Sequence, residues 1–377
     1  MIKTKEDLKG QYGMTPIRVL QVVPNMHRAG LETLIMNIYR NIDRDVVQFD
    51  FLVHYTDRFD YDDEIEALGG KIYRLSIRND SNLPKYLGDL KRFFKEHPEY
   101  TIVHGHMESF GFLYSRAAKK AGVKTIIAHS HNALIEPTLK GRMKNLMNKP
   151  WKHYANVLFA CSKKAGDFMF GGAPYTVINN GIRCEDFVWN PEEREACRRE
   201  LGVENKIVLG HIGRFDPQKN HAFLIDLFAV YTATHPEAVL LLIGEGSLQQ
   251  SIRQKVESLG LTDRVRFLGI RTDTSRLYQA MDIFLLPSLF EGLPVVGVEA
   301  QSAGLPMLTA DTVTKELCVT EFVEMLPLDA PLEVWADKID RMIEKKKRRN
   351  TLEEMNAAGF NIRKTADYLQ EFYCSHK

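Results

Sequence analysis

Residues 283–308 read IFLLPSLFEGLPVVGVEAQSAGLPML, and this pattern decides the fold class. The unbroken apolar run Ile283–Leu286 has strand length and no polar alternation, so both of its faces should be buried. Pro287 ends it, and the helical pattern Pro294–Ala303 opens on a proline suited to a first turn. A second apolar run, Met307–Leu308, follows Gly304 and Pro306. Strand, helix and strand in this order predict a right-handed βαβ unit with parallel strands.

The same alternation extends outward through almost the whole chain. Upstream strands are expected at Ile17–Val23, Phe49–Val53, Lys71–Leu75, Ile102–His104, Lys124–His129, Val157–Ala160 and Thr176–Ile178. Between them lie helical patterns such as Leu31–Asn41, Leu83–His97, Ser109–Ala121 and Lys163–Phe170. The period is lost over Gly181–Pro191 (GIRCEDFVWNP), and a second series then begins. Its strands are Lys206–Gly210, Val239–Ile243 and Val265–Leu268, followed by the two runs quoted above. An α/β chain of two doubly wound, parallel-sheet, Rossmann-like domains is predicted, over residues 1–184 and 185–359. Two such domains facing each other would enclose a cleft, with chemistry in the loops that follow strands.

Composition narrows the function classes. At 377 residues the chain has room for two to three domains. Fifty Lys and Arg against 49 Asp and Glu leave a formal charge of +1, which excludes a general polyanion binder, and no nucleic-acid partner is expected. Five cysteines without any CxxC exclude a zinc ribbon and a disulfide framework, and suit a reducing cytoplasm. The polar N-terminus has no apolar h-region, and the longest apolar runs, such as Ala238–Ile243, are of strand length. The expected location is cytoplasmic, at most peripheral on the inner face of a membrane. The dinucleotide fingerprint GxGxxG is absent, which weighs against a dehydrogenase.

Two loops carry the chemistry. In the first, Glu291 stands at a strand–helix junction and Glu299 lies eight residues on, inside the helix. Each carboxylate accepts two hydrogen bonds, so paired glutamates suit a polyhydroxyl ligand. In the second, Gly210–Asn220 (GHIGRFDPQKN), Arg214 and Lys219 flank an Asp-Pro turn that can bring both cations to one side. Converging cations neutralise a diphosphate, arginine as a fork and lysine as a point charge.

Together these residues resemble the retaining glycosyltransferases of family 4, which have the two-Rossmann-domain architecture called GT-B. Glu291-Gly-x-Pro followed by Glu299-Ala-x-x-x-Gly-x-Pro looks like their donor-site signature, and Arg214 to Lys219 resembles their Gly-Arg-x-x-x-x-Lys element. The resemblance implies that Glu291 bonds hydroxyls of the transferred sugar and Glu299 the nucleotide ribose. It adds Gly292, Leu293 and Pro294 to the donor site, with Gly244 and Leu268 from two further strand-end elements, LIGEG and VRFLG. In the first domain the family usually has two adjacent glycines at a helix N-terminus by the donor. Here they are Ala29-Gly30, so Gly30 keeps the role and Ala29 departs from it. Asn179-Asn-Gly-Ile-Arg183 departs from the family's Pro-Asn-Gly-x-Asp at both ends. A histidine after the fifth strand is implied to lie by the donor sugar; it is placed at His131, with His129 as the alternative and His106 a further candidate. The last helix, about 360–377, is implied to pack back on the first domain.

Three other features have plainer readings. His104, His106, His129 and His131 could bind a metal, but no cysteine or carboxylate stands beside them at ligand spacing, so no metal is expected. Asp60-Tyr61-Asp62 formally reads as the DxD of metal-dependent transferases and is taken as a solvated helix start; KKKRR at 345–349 is taken as a solvated helix end. Lys140–Lys152 contains five cations, no acid and Trp151, and fits either an anionic membrane surface or an amphipathic helix on the sheet.

The predicted function is retaining, metal-independent transfer of a sugar from a nucleotide sugar, UDP-sugar favoured, to a saccharide acceptor, a lipid-linked one favoured, in cell-surface polysaccharide assembly. Arg214, Lys219, Glu291 and His131 would be catalytic, and no cofactor is required. The alternatives are a GT-B nucleotide-sugar epimerase or phosphorylase, and a non-catalytic nucleotide-sugar-binding protein.

Overall fold

A computed structural model describes residues 15–77, 82–107, 110–131, 148 and 150–377. The chain divides into two compact units, Met1–Gly181 with Ile362–Lys377, and Ile182–Asn361. These limits fall three residues before and two after the expected ones. The reason is local: the Ile182 amide donates to the Phe360 carbonyl at 2.8 Å, and Ile182 bridges Asn361. The two ends of the second unit are thus stitched side by side.

In the first unit the elements are β1 (Ile17–Val22), α1 (Gly30–Asn41), β2 (Val47–Val53), α2 (Asp62–Ala67), β3 (Ile72–Arg74), α3 (Leu83–Glu96) and β4 (Ile102–Gly105). They continue with α4 (Gly111–Lys120), β5 (Thr125–Ser130), α5 (Trp151–Tyr154), β6 (Val157–Ala160), α6 (Lys163–Phe170) and β7 (Thr176–Val177). The strands form one sheet ordered β3-β2-β1-β4-β5-β6-β7, every recorded pairing being parallel. Successive residues of β1 alternate between two cores. Val19 packs with Leu34 and Ile38 of α1 and with Leu369 and Tyr373 of the C-terminal helix Ile362–Ser375. Leu20 and Val22 pack with Tyr86 of α3, Tyr114 of α4 and Trp151. This two-sided burial is what the strands' lack of polar alternation demanded.

The second unit repeats the plan. Its elements are α7 (Pro191–Leu201), β8 (Val208–Ile212), α8 (His221–Thr234), β9 (Val239–Ile243), α9 (Gln249–Ser258), β10 (Val265–Phe267), α10 (Thr274–Ala280) and β11 (Ile283–Leu286). Then come α11 (Val295–Ser302), β12 (Met307–Ala310), β13 (Val323–Leu326), α12 (Leu332–Lys345) and α13 (Leu352–Ala357). The sheet order is β10-β9-β8-β11-β12-β13, again parallel. β13 escaped the sequence reading because Glu321 and Glu324 interrupt its apolar run, and it lies at the sheet edge. β8 starts two residues later than expected because the Lys206 carbonyl is taken by the Arg198 guanidinium.

Strand order reverses between β1 and β4 in one sheet and between β8 and β11 in the other. Such switch points open crevices at the carboxyl ends of the strands. No helix among the described residues is long and apolar enough to cross a membrane.

Candidate active site

At the switch point of the second unit, the loops after β8 and β11 meet. Asp216 caps a single 3-10 turn, Pro217–Lys219, by accepting from the Lys219 amide at 3.2 Å. Asn220 then takes the left-handed conformation (φ 55°), which asparagine tolerates, and turns the chain into α8. That turn aims Lys219 at the next loop. Its Nζ lies 2.5 Å from Glu291 Oε1, and the two side chains are only 16% and 8% exposed, so solvent screens the pair weakly. Gln218 braces the same carboxylate, donating to Glu291 Oε2 at 3.1 Å and to the Phe290 carbonyl at 3.0 Å. Its own carbonyl accepts from the Leu289 amide at 2.8 Å.

Arg214 and Lys219 differ in their partners. Lys219 joins Glu291, whereas Arg214 is exposed and has no carboxylate partner among the described residues. It is the cation left open for an anion.

Neighbouring strand ends are laced by backbone. Gly213 donates to Ile243, Phe215 to Glu245, Gly244 to Gly269 and Leu268 to Leu242, at 2.8 to 3.0 Å. Gly244 has φ 128°, and a Cβ there would stand 2.2 Å from the Gly213 carbonyl oxygen. Only glycine fits that crossing. Gly292 is exposed with open space around it, and Pro294 occupies the N-cap of α11 rather than its first turn. Leu293 packs on the core beneath.

Glu299 sits inside α11 beside Tyr278, whose hydroxyl lies 2.9 Å from Oε2 and 3.0 Å from the Val296 carbonyl. The Tyr278 hydroxyl thus faces two acceptors, the Glu299 carboxyl and the Val296 carbonyl. Burial pushes Glu299 up to about 7, against the lowering effect of the Tyr278 bond.

In the first unit the four histidines form a stack at the ends of β4 and β5. His104 is hydrogen-bonded to Tyr373 at 2.7 Å and to His129 at 3.1 Å. His106 bonds His131 at 2.9 Å and Gln21 of β1 at 2.9 Å. Burial lowers all four, His131 to about 3, so the imidazoles are neutral at pH 7. His131 is the partly exposed member and the others are buried. Ring nitrogens of His104, His106 and His129 approach within 4.8 Å of one another, close enough to share a metal ion, but most are already engaged with each other, Tyr373 and Gln21. At the other loop, Ala29 is the N-cap of α1 and Gly30 its first residue; both are exposed and no side chain caps the helix. A Cβ on Gly30 would meet nothing, so any need for glycine there comes from a ligand.

Three plain readings change. Asp62 is buried rather than solvated, ion-paired with Arg74, while Asp60 accepts from the Arg28 amide at 2.9 Å. The two carboxylates of the formal DxD therefore serve separate structural tasks. Arg348 of KKKRR is likewise withdrawn from water, donating to the carbonyls of Tyr278, Gln279, Met281 and Ala303 and lying 3.9 Å over the Trp189 ring. Trp151 is fully buried against α4, and Lys152 donates to the Phe170 carbonyl at 3.0 Å. Those two side chains are not offered to a membrane; Lys140, Arg142, Lys144 and Lys149 lie outside the described residues.

Sequence reasoning missed Gln218, Tyr278, Gln21 and Tyr373. Gln218 adjoins Lys219 in the quoted loop, but the others come from distant elements and leave no local signal.

Two parallel-sheet Rossmann-like units with an ion-paired switch-point loop define the class of GT-B glycosyltransferases. Comparison with known proteins narrows it. The family description "Glycosyltransferase Family 4" matches residues 28–186, and "Glycosyl transferases group 1" matches residues 193–358. A Bacillus subtilis (strain 168) protein named as glycosyltransferase EpsF is 35% identical over 334 residues, spanning 86% of this chain and 87% of its own length. The Escherichia coli UDP-Gal:alpha-D-GlcNAc-diphosphoundecaprenol alpha-1,3-galactosyltransferase is 28% identical, over 73% and 75% of the two chains. The Staphylococcus aureus capsular polysaccharide biosynthesis glycosyltransferase CapH is 22% identical, over 95% and 99%. Among solved structures, Anabaena HepE in complex with UDP shares the fold with a TM-score of 0.71 at 20% identity, over 95% of each chain. The chain belongs to the family 4 glycosyltransferases.

Proposed function

We propose that the chain transfers a hexose, with retention of anomeric configuration and without a metal ion, from a UDP-sugar to a saccharide acceptor carried on a lipid, on the cytoplasmic side of the membrane. The observation that carries the reading is the Lys219–Glu291–Gln218 group at the β8/β11 switch point, with Arg214 open beside it in sequence. Support for the donor comes from HepE, solved with UDP, and for the acceptor from the Escherichia coli relative, whose name specifies a sugar on diphosphoundecaprenol.

The barrier is departure of the nucleoside diphosphate from the anomeric carbon. Charge develops on the diphosphate as that bond breaks, and Arg214 and Lys219 stabilise it, each well-placed group contributing about 3 kcal/mol. Glu291, held in place by Lys219 and Gln218, accepts from sugar hydroxyls, while Glu299 accepts from the ribose. His131, partly exposed and neutral at pH 7, stands by the transferred sugar without adding charge. With Glu291 committed to Lys219, we assign no enzyme nucleophile. The acceptor hydroxyl attacks on the face the diphosphate leaves, its oxygen bonds the anomeric carbon, and its proton passes to a diphosphate oxygen.

Calorimetric titration with UDP, GDP and ADP, without metal and then with magnesium, tests the reading. UDP is expected to bind without metal, and Glu299→Ala to weaken it about tenfold, the loss of a hydrogen bond to the ribose. Absence of UDP binding, or strict dependence on magnesium, overturns it.

A further inference from the structure

On the first unit, α3 and α4 run beside each other and enclose a groove of about 700 Å3. Its floor is apolar. Phe94 and Leu113 are buried beneath it, and Ala117 and Ala121 present only methyl groups where longer side chains would fill the space. Leu87, on the wall, remains 42% exposed, as does Leu83 one turn before it.

The rim is cationic. Lys91 and Lys95 stand one turn apart on α3, and Arg116 and Lys120 one turn apart on α4. Like charges at this spacing repel each other and destabilise the helix that carries them. None of the four is paired with a carboxylate among the described residues, whereas Arg92, beside them in sequence, has Asp89. The helix dipole accounts for Lys95 and Lys120, which lie in last turns. It does not account for Lys91 or Arg116. Two uncompensated cation rows around an apolar floor match a ligand that is anionic at its head and apolar beyond it.

We propose that this groove seats the chain on an anionic lipid surface, taking a lipid phosphate between the cation rows and an acyl chain over the floor. Basic groups near an anionic leaflet each strengthen attachment, and an acyl chain over the floor adds burial of apolar surface. The inference deepens the reading of a lipid-borne acceptor and rests on it for its purpose. Its position differs from the basic stretch Lys140–Lys152, since α3, α4 and the residues just after them line it.

Flotation with vesicles of phosphatidylcholine, alone or mixed with phosphatidylglycerol, tests the proposal on the full chain. The protein should float with the mixed vesicles and not with the neutral ones. The double variant Lys91→Gln, Arg116→Gln should bind about thirty-fold more weakly, about 2 kcal/mol at roughly 1 kcal/mol per cation near an anionic surface. Ala121→Trp keeps every charge but fills the floor, and should also weaken binding. Failure of the wild-type chain to float, or wild-type behaviour of either variant, overturns the proposal. So does loss of binding on Lys140→Gln, Arg142→Gln, Lys144→Gln with the groove intact. UDP titration of the same samples separates the two readings: retained UDP binding without flotation removes the groove alone, and lost UDP binding removes the donor site.

Discussion

The two sheets follow one plan, yet their switch points are furnished in opposite ways. After β8 and β11 the loops hold charge: Lys219 against Glu291, Arg214 open, and a buried carboxyl at Glu299 poised near neutrality. After β4 and β5 stands a stack of neutral imidazoles tied to Gln21 and Tyr373. Charge binds and stabilises an anionic leaving group, whereas neutral donors and acceptors position hydroxyls without perturbing that charge. The difference teaches that two sheets of one plan can carry a charged loop pair in one unit and a neutral imidazole stack in the other, according to the side chains that follow their strands.

Substitutions can break this comparison, and the largest effect is expected on the charged side. Lys219→Ala or Arg214→Ala should lower the transfer rate by about 10² to 10³-fold, the loss of a preorganised group facing developing charge. Thermal melting should show that the fold survives, and near-normal turnover of both variants would remove the mechanism. Next comes the neutral side. His131→Ala should cost about 10²-fold in transfer while leaving UDP affinity unchanged by calorimetry, since the nucleotide contacts proposed above lie in the second unit. A loss of UDP affinity equal to the loss in rate would show that the imidazole serves binding instead.

A smaller effect concerns stability. Glu299 is raised from 4.5 to about 7, so the folded chain holds a proton there that the unfolded chain releases. That stability is present below the ordinary carboxyl value and is lost as pH rises through about 7, up to about 3 kcal/mol. Glu299→Gln should therefore flatten the pH dependence, gaining on the wild type at about pH 8 but not at about pH 5 in urea titrations. An unchanged slope would place the titration elsewhere. The smallest effect is expected at Asp60. Asp60→Asn, with or without a chelator in the assay, should leave the transfer rate unaltered, because its carboxylate is used by the Arg28 amide and His27. A rate loss restored by added metal would reopen the metal-dependent reading.

How much of this was legible follows from how local each determinant is. The βαβ pattern around Ile283–Met307 and the Glu291, Glu299, Arg214 and Lys219 spacings lie within single loops, so the chain displays them directly. Strand burial was readable because two-sided contact leaves no polar residues to alternate. Tyr278, Gln21 and Tyr373 were not readable, since their partners are 21, 85 and 269 residues away. Charged runs misled for the same reason: Asp62 and Arg348 look solvated in sequence and are withdrawn from water by Arg74 and by four backbone carbonyls.

The sequence by itself determined two parallel α/β sheets, the loops that follow their strands and the residue types those loops present, because periodicity and turn chemistry act over a few residues. Only the tertiary structure decided which charge meets which: that Lys219 is held by Glu291 while Arg214 stays open, that burial raises Glu299 to about 7, and that α3 and α4 leave a cationic groove between them. Those outcomes depend on packing that removes water around some groups and spares others, and no local pattern encodes it.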